Sequence, residues 1–317
     1  MARSSDPVDL VARARTGDRG AVARLISLVE RGGEGARAVG RQTYPLGGNA
    51  HTIGLTGAPG AGKSTLTAAL IGLLRAQHGE TAVLAIDPSS PFTGGAILGD
   101  RVRMQDHFLD AGVFIRSMAT RGHLGGLALA TPAAVRVLDA AGFPWVLIET
   151  VGVGQVEVEV AGATDTTVVV VNPGWGDAVQ ANKAGLMEIA DLFVINKADR
   201  AGLADTRRDL EQMLDLSART EWRPPVLATV ASTGEGVEEL TKALMEHRDH
   251  LESSGELQRR RAARLDQELA RIVTEQLLER VAERSDSELA RSLRADLAAR
   301  RTDPWTAADR LVADALG

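Results

Sequence analysis

Cysteine is absent from the chain, which excludes disulfide bridges, thiolate catalysis and a cysteine-based metal site. Aromatic residues are only 3% of a sequence that is 44% hydrophobic, so the core must be packed from Ala, Val, Leu and Ile. No apolar run approaches the ~20 residues of a membrane span. The amino terminus, Met1-Ala2-Arg3-Ser4-Ser5-Asp6-Pro7, has no apolar signal core. Arg13, Arg15, Arg19 and Arg24 follow, but Asp6, Asp9, Asp18 and Glu30 lie among them, unlike an acid-poor transit peptide. A cytoplasmic protein with no membrane partner is the expectation. Excess positive charge is missing as well. A formal charge of −6 and a pI near 5.6 leave no basic face for a phosphodiester backbone, so nucleic acid is not an expected partner. Lysine is scarce among the 36 Lys+Arg, occurring only as Lys63, Lys183, Lys197 and Lys242. Three of these fall in segments read below as nucleotide-handling, where a compact point charge differs from a guanidinium fork.

Against these absences stands the stretch Gly57-Ala58-Pro59-Gly60-Ala61-Gly62-Lys63-Ser64. An apolar run, 52–56, precedes it and the helical pattern Thr65-Leu66-Thr67-Ala68 follows, giving G-x-x-x-x-G-K-[ST] its strand-loop-helix setting. Glycines allow successive backbone N–H groups to turn around a phosphate, and the helix start adds its positive dipole end. Lys63 is suited to the β- and γ-phosphates and the Ser64 hydroxyl to Mg²⁺.

Strand and helix patterns alternate from there, predicting a P-loop α/β fold with a mostly parallel central sheet flanked by helices. Strands are expected over 52–56, 82–86, 113–115, 145–148, 167–171, 192–195 and 226–229, and helices near 64–77, 130–141, 203–216 and 236–252. Residues 1–45 read as a helical extension, with Asp6-Pro7 as cap and first position and Val8, Leu10 and Val11 at helical spacing; 46–252 form the nucleotide domain. Residues 253–317 read as a helical arm in which Leu265, Leu269, Ile272, Val273, Gln276 and Leu277 make a stripe and Pro304-Trp305 start a last helix. Such a stripe predicts dimerisation.

Three further segments carry chemistry. Asn196-Lys197-Ala198-Asp199 follows a strand, and an aspartate there accepts from the guanine N1–H and 2-amino group, a pattern adenine lacks. Ala231-Ser232, after the strand at 226–229, is where a backbone contact to guanine O6 is expected. Glu149, at the end of a central strand, is placed to hold Mg²⁺ directly or through water, and Gly152 to offer its N–H to a γ-phosphate. Asp87 and Asp100 bracket a Gly/Ser/Pro-rich stretch read as a phosphate-facing segment of the kind that nucleotide and Mg²⁺ order.

Taken together, GAPGAGKS, AIDPSSPFTGGAILGDRVRM, ETVGVGQVEVEVAGATD, VNPGWGDAVQANKAGLMEIAD and NKAD resemble the MeaB/ArgK family of P-loop GTPases over nearly the whole chain. The resemblance implies a homodimeric GTP-hydrolysing chaperone that protects an adenosylcobalamin-dependent acyl-CoA mutase and gates its cofactor loading. It makes Lys63 and Ser64 the phosphate and Mg²⁺ ligands, and Asp87, Asp100 and Glu149 the acids around the metal. Asn196, Lys197 and Asp199 become the guanine readers, and 174–187, with Asp177, Gln180 and Lys183, a switch facing the mutase. No Gln follows Gly152 directly, and Gln155 comes three positions later, so slow intrinsic hydrolysis is expected. The family's older name implies an alternative, an ATP-dependent kinase serving arginine/ornithine transport, which the Asp199 pattern disfavours. A nickel-delivery GTPase would want a Cys/His cluster, whereas His247 and His250 fall on a charged helix and read as solvated. A signal-recognition GTPase would want a Met-rich groove, which six methionines do not make.

Overall fold

The computed structural model describes residues 6–88, 104, 107, 109–120, 126–150, 162–174, 185, 188–216 and 221–316. Its sheet has seven strands: β1 (His51–Gly57), β2 (Thr81–Pro88), β3 (Val113–Thr120), β4 (Trp145–Thr150), β5 (Thr166–Val171), β6 (Leu192–Asn196) and β7 (Val226–Thr229). All pair in parallel, in the order β3-β2-β4-β1-β5-β6-β7. Every strand falls where the apolar runs predict it. The helices are α1 (Pro7–Arg15), α2 (Arg19–Arg31), α3 (Gly33–Thr43), α4 (Lys63–His78), α5 (Gly126–Ala140), α6 (Leu203–Leu216), α7 (Val237–Ser253), α8 (Glu256–Glu283), α9 (Glu288–Ala298) and α10 (Pro304–Leu316).

The strands read as unbroken apolar runs because both sheet faces are covered. Val146 and Ile148 of β4 join one cluster with α1, α2, α3 and α5, whereas Leu147 joins another with α4 and α7. Likewise Val168 and Val170 face α4 and α7, while Val169 and Val171 pack beside Leu210 of α6. Leu10, Val11, Leu25, Ile26 and Val29 supply the amino-terminal helices' share of the first cluster. Val8, expected on the same apolar face of α1, is instead exposed. The starts of the first two helices are fixed by side chains: Asp6 accepts from Val8 N–H at 3.1 Å and Asp18 from Ala21 N–H at 3.0 Å.

The chain divides into two compact units, Met1–Arg261 and Ala262–Gly317. The amino-terminal helices share the first unit with the sheet, and so do the first residues of α8, up to Arg261. In the second unit α9 is capped by Ser287, which accepts from Ala290 N–H at 3.1 Å, and buries Ala290 and Leu293. Asp303 accepts from Trp305 and Thr306 N–H ahead of α10. The α8 stripe residues Leu265, Leu269, Val273 and Leu277 are exposed. Among the described residues no helix is long and apolar enough to cross a membrane.

At the amino ends of the strands a dense polar cluster is built. Asp165, 1% exposed, accepts from Thr52 N–H (3.1 Å) and from Arg261 Nε (3.1 Å) and Nη2 (2.7 Å). Asp191 accepts from Thr167 N–H (2.8 Å) and Arg260 Nη1 (2.9 Å). Burial alone would raise the Asp191 carboxyl, but His247, Arg260 and the Thr167 N–H together hold it below its usual range. His247 is fully buried, which corrects the expectation of a solvated side chain; the charged residues beside it on α7 hid its inward face. Its Nε2 faces Asp191 Oδ1 at 3.3 Å, and its Nδ1 lies 2.9 Å from Thr166 Oγ1, which lies 2.8 Å from His51 Nε2. A carboxylate opposite Nε2 favours the proton there, so Thr166 donates to His247 Nδ1 and accepts from His51. Burial pushes the His51 pKa down to about 4.

Candidate nucleotide site

Strand order reverses around β1, and in open parallel sheets a ligand crevice forms beyond the carboxyl ends of the strands at such a point. The turn from β1 into α4 lies there. Gly57 has φ 131°, and a Cβ on it would stand 2.0 Å from the Val170 carbonyl oxygen of β5. Gly62 has φ 90° and caps α4, and a Cβ on it would stand 2.4 Å from Asn196 Nδ2. Both positions therefore require glycine on two counts, a left-handed backbone and a neighbour in the way. Lys63 is buried and donates from Nζ to the carbonyls of Gly57 (2.7 Å) and Ala58 (3.1 Å).

Ser64 and Glu149, 85 positions apart, are brought together by the β1–β4 register, in which Leu55 faces Glu149. Both are buried, and Ser64 Oγ donates to Glu149 Oε1 at 2.5 Å. A hydroxyl and a carboxylate side by side are hard-oxygen donors of the kind that hold Mg²⁺ together with phosphate oxygens and water. Thr150, next to Glu149, donates to Thr56 Oγ1 at 3.3 Å and to the Leu55 carbonyl at 3.5 Å, tying the ends of β4 and β1.

Asn196 ends β6 and bridges three loops. Its Nδ2 donates to the Ala61 carbonyl (2.8 Å), and its Oδ1 accepts from Ala231 N–H and Thr229 Oγ1, both at 3.1 Å. Lys197 has φ 59°, unusual for a residue with a side chain, and its Nζ donates to the Gly60 carbonyl at 2.6 Å. The N-K-x-D turn is thus bonded to the glycine turn. Asp199 is exposed on this turn and Ser232 is exposed beside the buried Ala231. Pro59, Gly60, Ala61 and Thr65 complete the first turn.

Asp87 is the penultimate residue of β2, its backbone paired to Ala119, while its side chain lies outside the described residues. Asp100, Gly152, Gln155, Asp177, Gln180 and Lys183 also lie outside them. Sequence reading missed Thr229 and Thr150 as supports, because a strand-end threonine shows its role only once the strand order is known. Among the described residues no group of three or more His, Cys, Asp or Glu could hold a metal ion.

The parallel sheet, the glycine turn on its central strand and the lysine-asparagine turn bonded to it define the class: this is a P-loop GTPase. The model of one family within that class, described as methylmalonyl Co-A mutase-associated GTPase MeaB, matches residues 22–286. The chain belongs to that family. It is 50% identical over 313 residues to a protein named as a GTPase from Pyrococcus abyssi, covering 98% of this chain and 97% of that one. The mouse mitochondrial homolog of methylmalonic aciduria type A is 38% identical over 232 residues, 72% of this chain and 56% of that protein. The crystal structure of the LAO/AO transport system kinase superposes with a TM-score of 0.73 at 29% identity, over the full length of both chains.

Proposed function

We propose that this GTPase is a nucleotide-switched chaperone for an adenosylcobalamin-dependent acyl-CoA mutase, gating cofactor loading and protecting the mutase from inactivation. The observation that carries the reading is the family match over 22–286, whose description names the associated mutase. In this reading Lys63 leaves its carbonyl partners for the β- and γ-phosphates. Ser64 and Glu149 hold Mg²⁺, with Asp87 and Asp100 as further acids, and the ion when bound neutralises charge on the phosphate oxygens. Asn196 and Lys197 hold the two turns together so that Asp199 and the Ala231-Ser232 backbone meet the guanine. The exposed Leu269 and Val273 on α8 support a homodimer joined through the arm.

Steady-state GTP hydrolysis, measured alone and with an adenosylcobalamin mutase from the same source, tests the reading. Slow turnover alone, stimulated at least tenfold by the mutase and absent with ATP, is the expected result. Hydrolysis that the mutase leaves unchanged would remove that client. The likeness to the transport system kinase supports a second reading, ATP-dependent phosphoryl transfer, and equal turnover of ATP would favour it.

A further inference from the structure

The turn that carries Asp199 is held at its front by the bonds of Lys197 to Gly60 and of Ala198 N–H to the Thr229 carbonyl (3.0 Å). Its rear end runs into α6. There Thr206, only 4% exposed, accepts from Gly174 N–H through Oγ1 at 3.1 Å, while its own N–H donates to the Gly202 carbonyl at 3.0 Å. Gly202, at φ 95°, closes the same joint: a Cβ on it would stand 3.5 Å from Gly174 N and 3.7 Å from Pro173 Cβ. One buried hydroxyl therefore ties the outlet of β5 to the first turn of α6, the helix that begins at Leu203, just beyond the Asp199 turn. Arg207 fixes the next residue of α6 by donating to the Val226 carbonyl at 2.7 Å.

We infer that Thr206 is a positioning residue for purine recognition, holding the rear of the Asp199 turn against the β5 outlet at Gly174. The inference rests on the guanine reading of Asp199. A carboxylate that accepts two N–H groups from one base edge must be held to about half an ångström, and an exposed turn needs fixing at both ends to achieve that. Loosening its rear end weakens the base contacts and leaves the phosphate contacts of the glycine turn alone. The signature is a loss of base discrimination, which a purely structural hydroxyl would not produce.

The test measures dissociation constants of the full-length protein for GDP, IDP and ADP by titration calorimetry, with thermal unfolding to confirm folding. IDP lacks the 2-amino group. Thr206→Val is expected to weaken GDP about fivefold, the worth of roughly one hydrogen bond, and IDP less, so the GDP-to-IDP ratio narrows. Thr206→Ser restores both values, and the KM for GTP rises in the valine variant with kcat unchanged. Gly202→Ala, which strains the other half of the joint, narrows the ratio independently should the valine variant not fold. A parent-like ratio in folded Thr206→Val, or a serine variant no better than valine, overturns the inference alone. A parent that binds GDP, IDP and ADP alike overturns the reading of Asp199 and this inference with it.

Discussion

At the carboxyl ends of the strands, cations rest on backbone carbonyls: Lys63 on Gly57 and Ala58, Lys197 on Gly60. At the amino ends carboxylates join in: Arg260 pairs with Asp191 and Arg261 with Asp165, Arg261 also donating to the Gly48 and Ala50 carbonyls. A carbonyl bond to an ammonium is readily exchanged for a phosphate, whereas a part-buried guanidinium on a buried carboxylate resists exchange. The choice of side chain follows. On the proposed reading Lys63, a point charge on a flexible stem, passes its charge to a phosphate while Lys197 keeps its bond to Gly60, and Arg261, a planar fork, grips both oxygens of Asp165. One end of the sheet is thus kept available and the other is closed.

A crossed pair of substitutions tests this contrast most sharply. Asp165→Ala leaves Arg261 and the buried Thr52 N–H without their carboxylate and is expected to cost about 3 kcal/mol of stability, read from urea unfolding. The KM for GTP of the folded fraction should not change. Lys63→Ala should do the reverse, lowering kcat/KM roughly a hundredfold or more with an unfolding midpoint close to the parent's. If Asp165→Ala raises KM, or Lys63→Ala unfolds the protein, the two ends are not independent.

Much of the carboxyl-end plan was legible in the sequence because two of its parts are contiguous motifs, although the Ser64–Glu149 and Asn196–Ala61 contacts that join them appear only with the fold. Gly57 to Ser64 and Asn196 to Asp199 are local motifs whose residue types are dictated by the ligand, and the strands announced themselves as apolar runs covered on both faces. The amino-end plan was hidden because its parts are scattered. Asp165, Asp191, His247 and Arg260 meet only once β5, β6, α7 and α8 are assembled, and no local spacing signals that. His247 is the clearest case, since its neighbours on α7 are charged and only the fold reveals that it points inward. Thr206 was missed for the same reason: its partner, Gly174, is 32 positions away.

The closed end has a response to acid of its own. His51 has a folded pKa of about 4 against an ordinary value of 6.5, so between these values the unfolded chain binds a proton that the native chain refuses. Stability is therefore lost as pH falls from about 6.5 towards 4, at up to about 1.4 kcal/mol per pH unit. Asp191 acts in a different window. Its folded pKa lies below the ordinary 3.8, so its contribution is intact above that value and lost as pH falls through the folded one. Urea unfolding at pH 7, 6 and 5 should show the decline, and His51→Gln, which keeps a donor towards Thr166, should flatten it. An unchanged slope in that variant would move the acid sensitivity away from the His51–Thr166–His247 chain.

The smallest effect concerns Trp222. Its ring centroid lies 4.8 Å from that of His247 and 5.2 Å from that of His250, and its Nε1–H donates to the Asp191 carbonyl at 2.9 Å. Phenylalanine keeps much of the ring contact and removes the donor, so Trp222→Phe isolates one hydrogen bond, worth about 1 kcal/mol. Chemical denaturation should find that loss, and GTP hydrolysis should match the parent at every substrate concentration, because the donor serves the end of β6 remote from Asn196. A change in KM would mean that strain at the amino end of β6 reaches the Asn196 turn along five residues of buried strand. Independence of the two ends would then fail at its weakest joint, where a single strand carries an anchoring aspartate before its first residue and the bridging asparagine as its last.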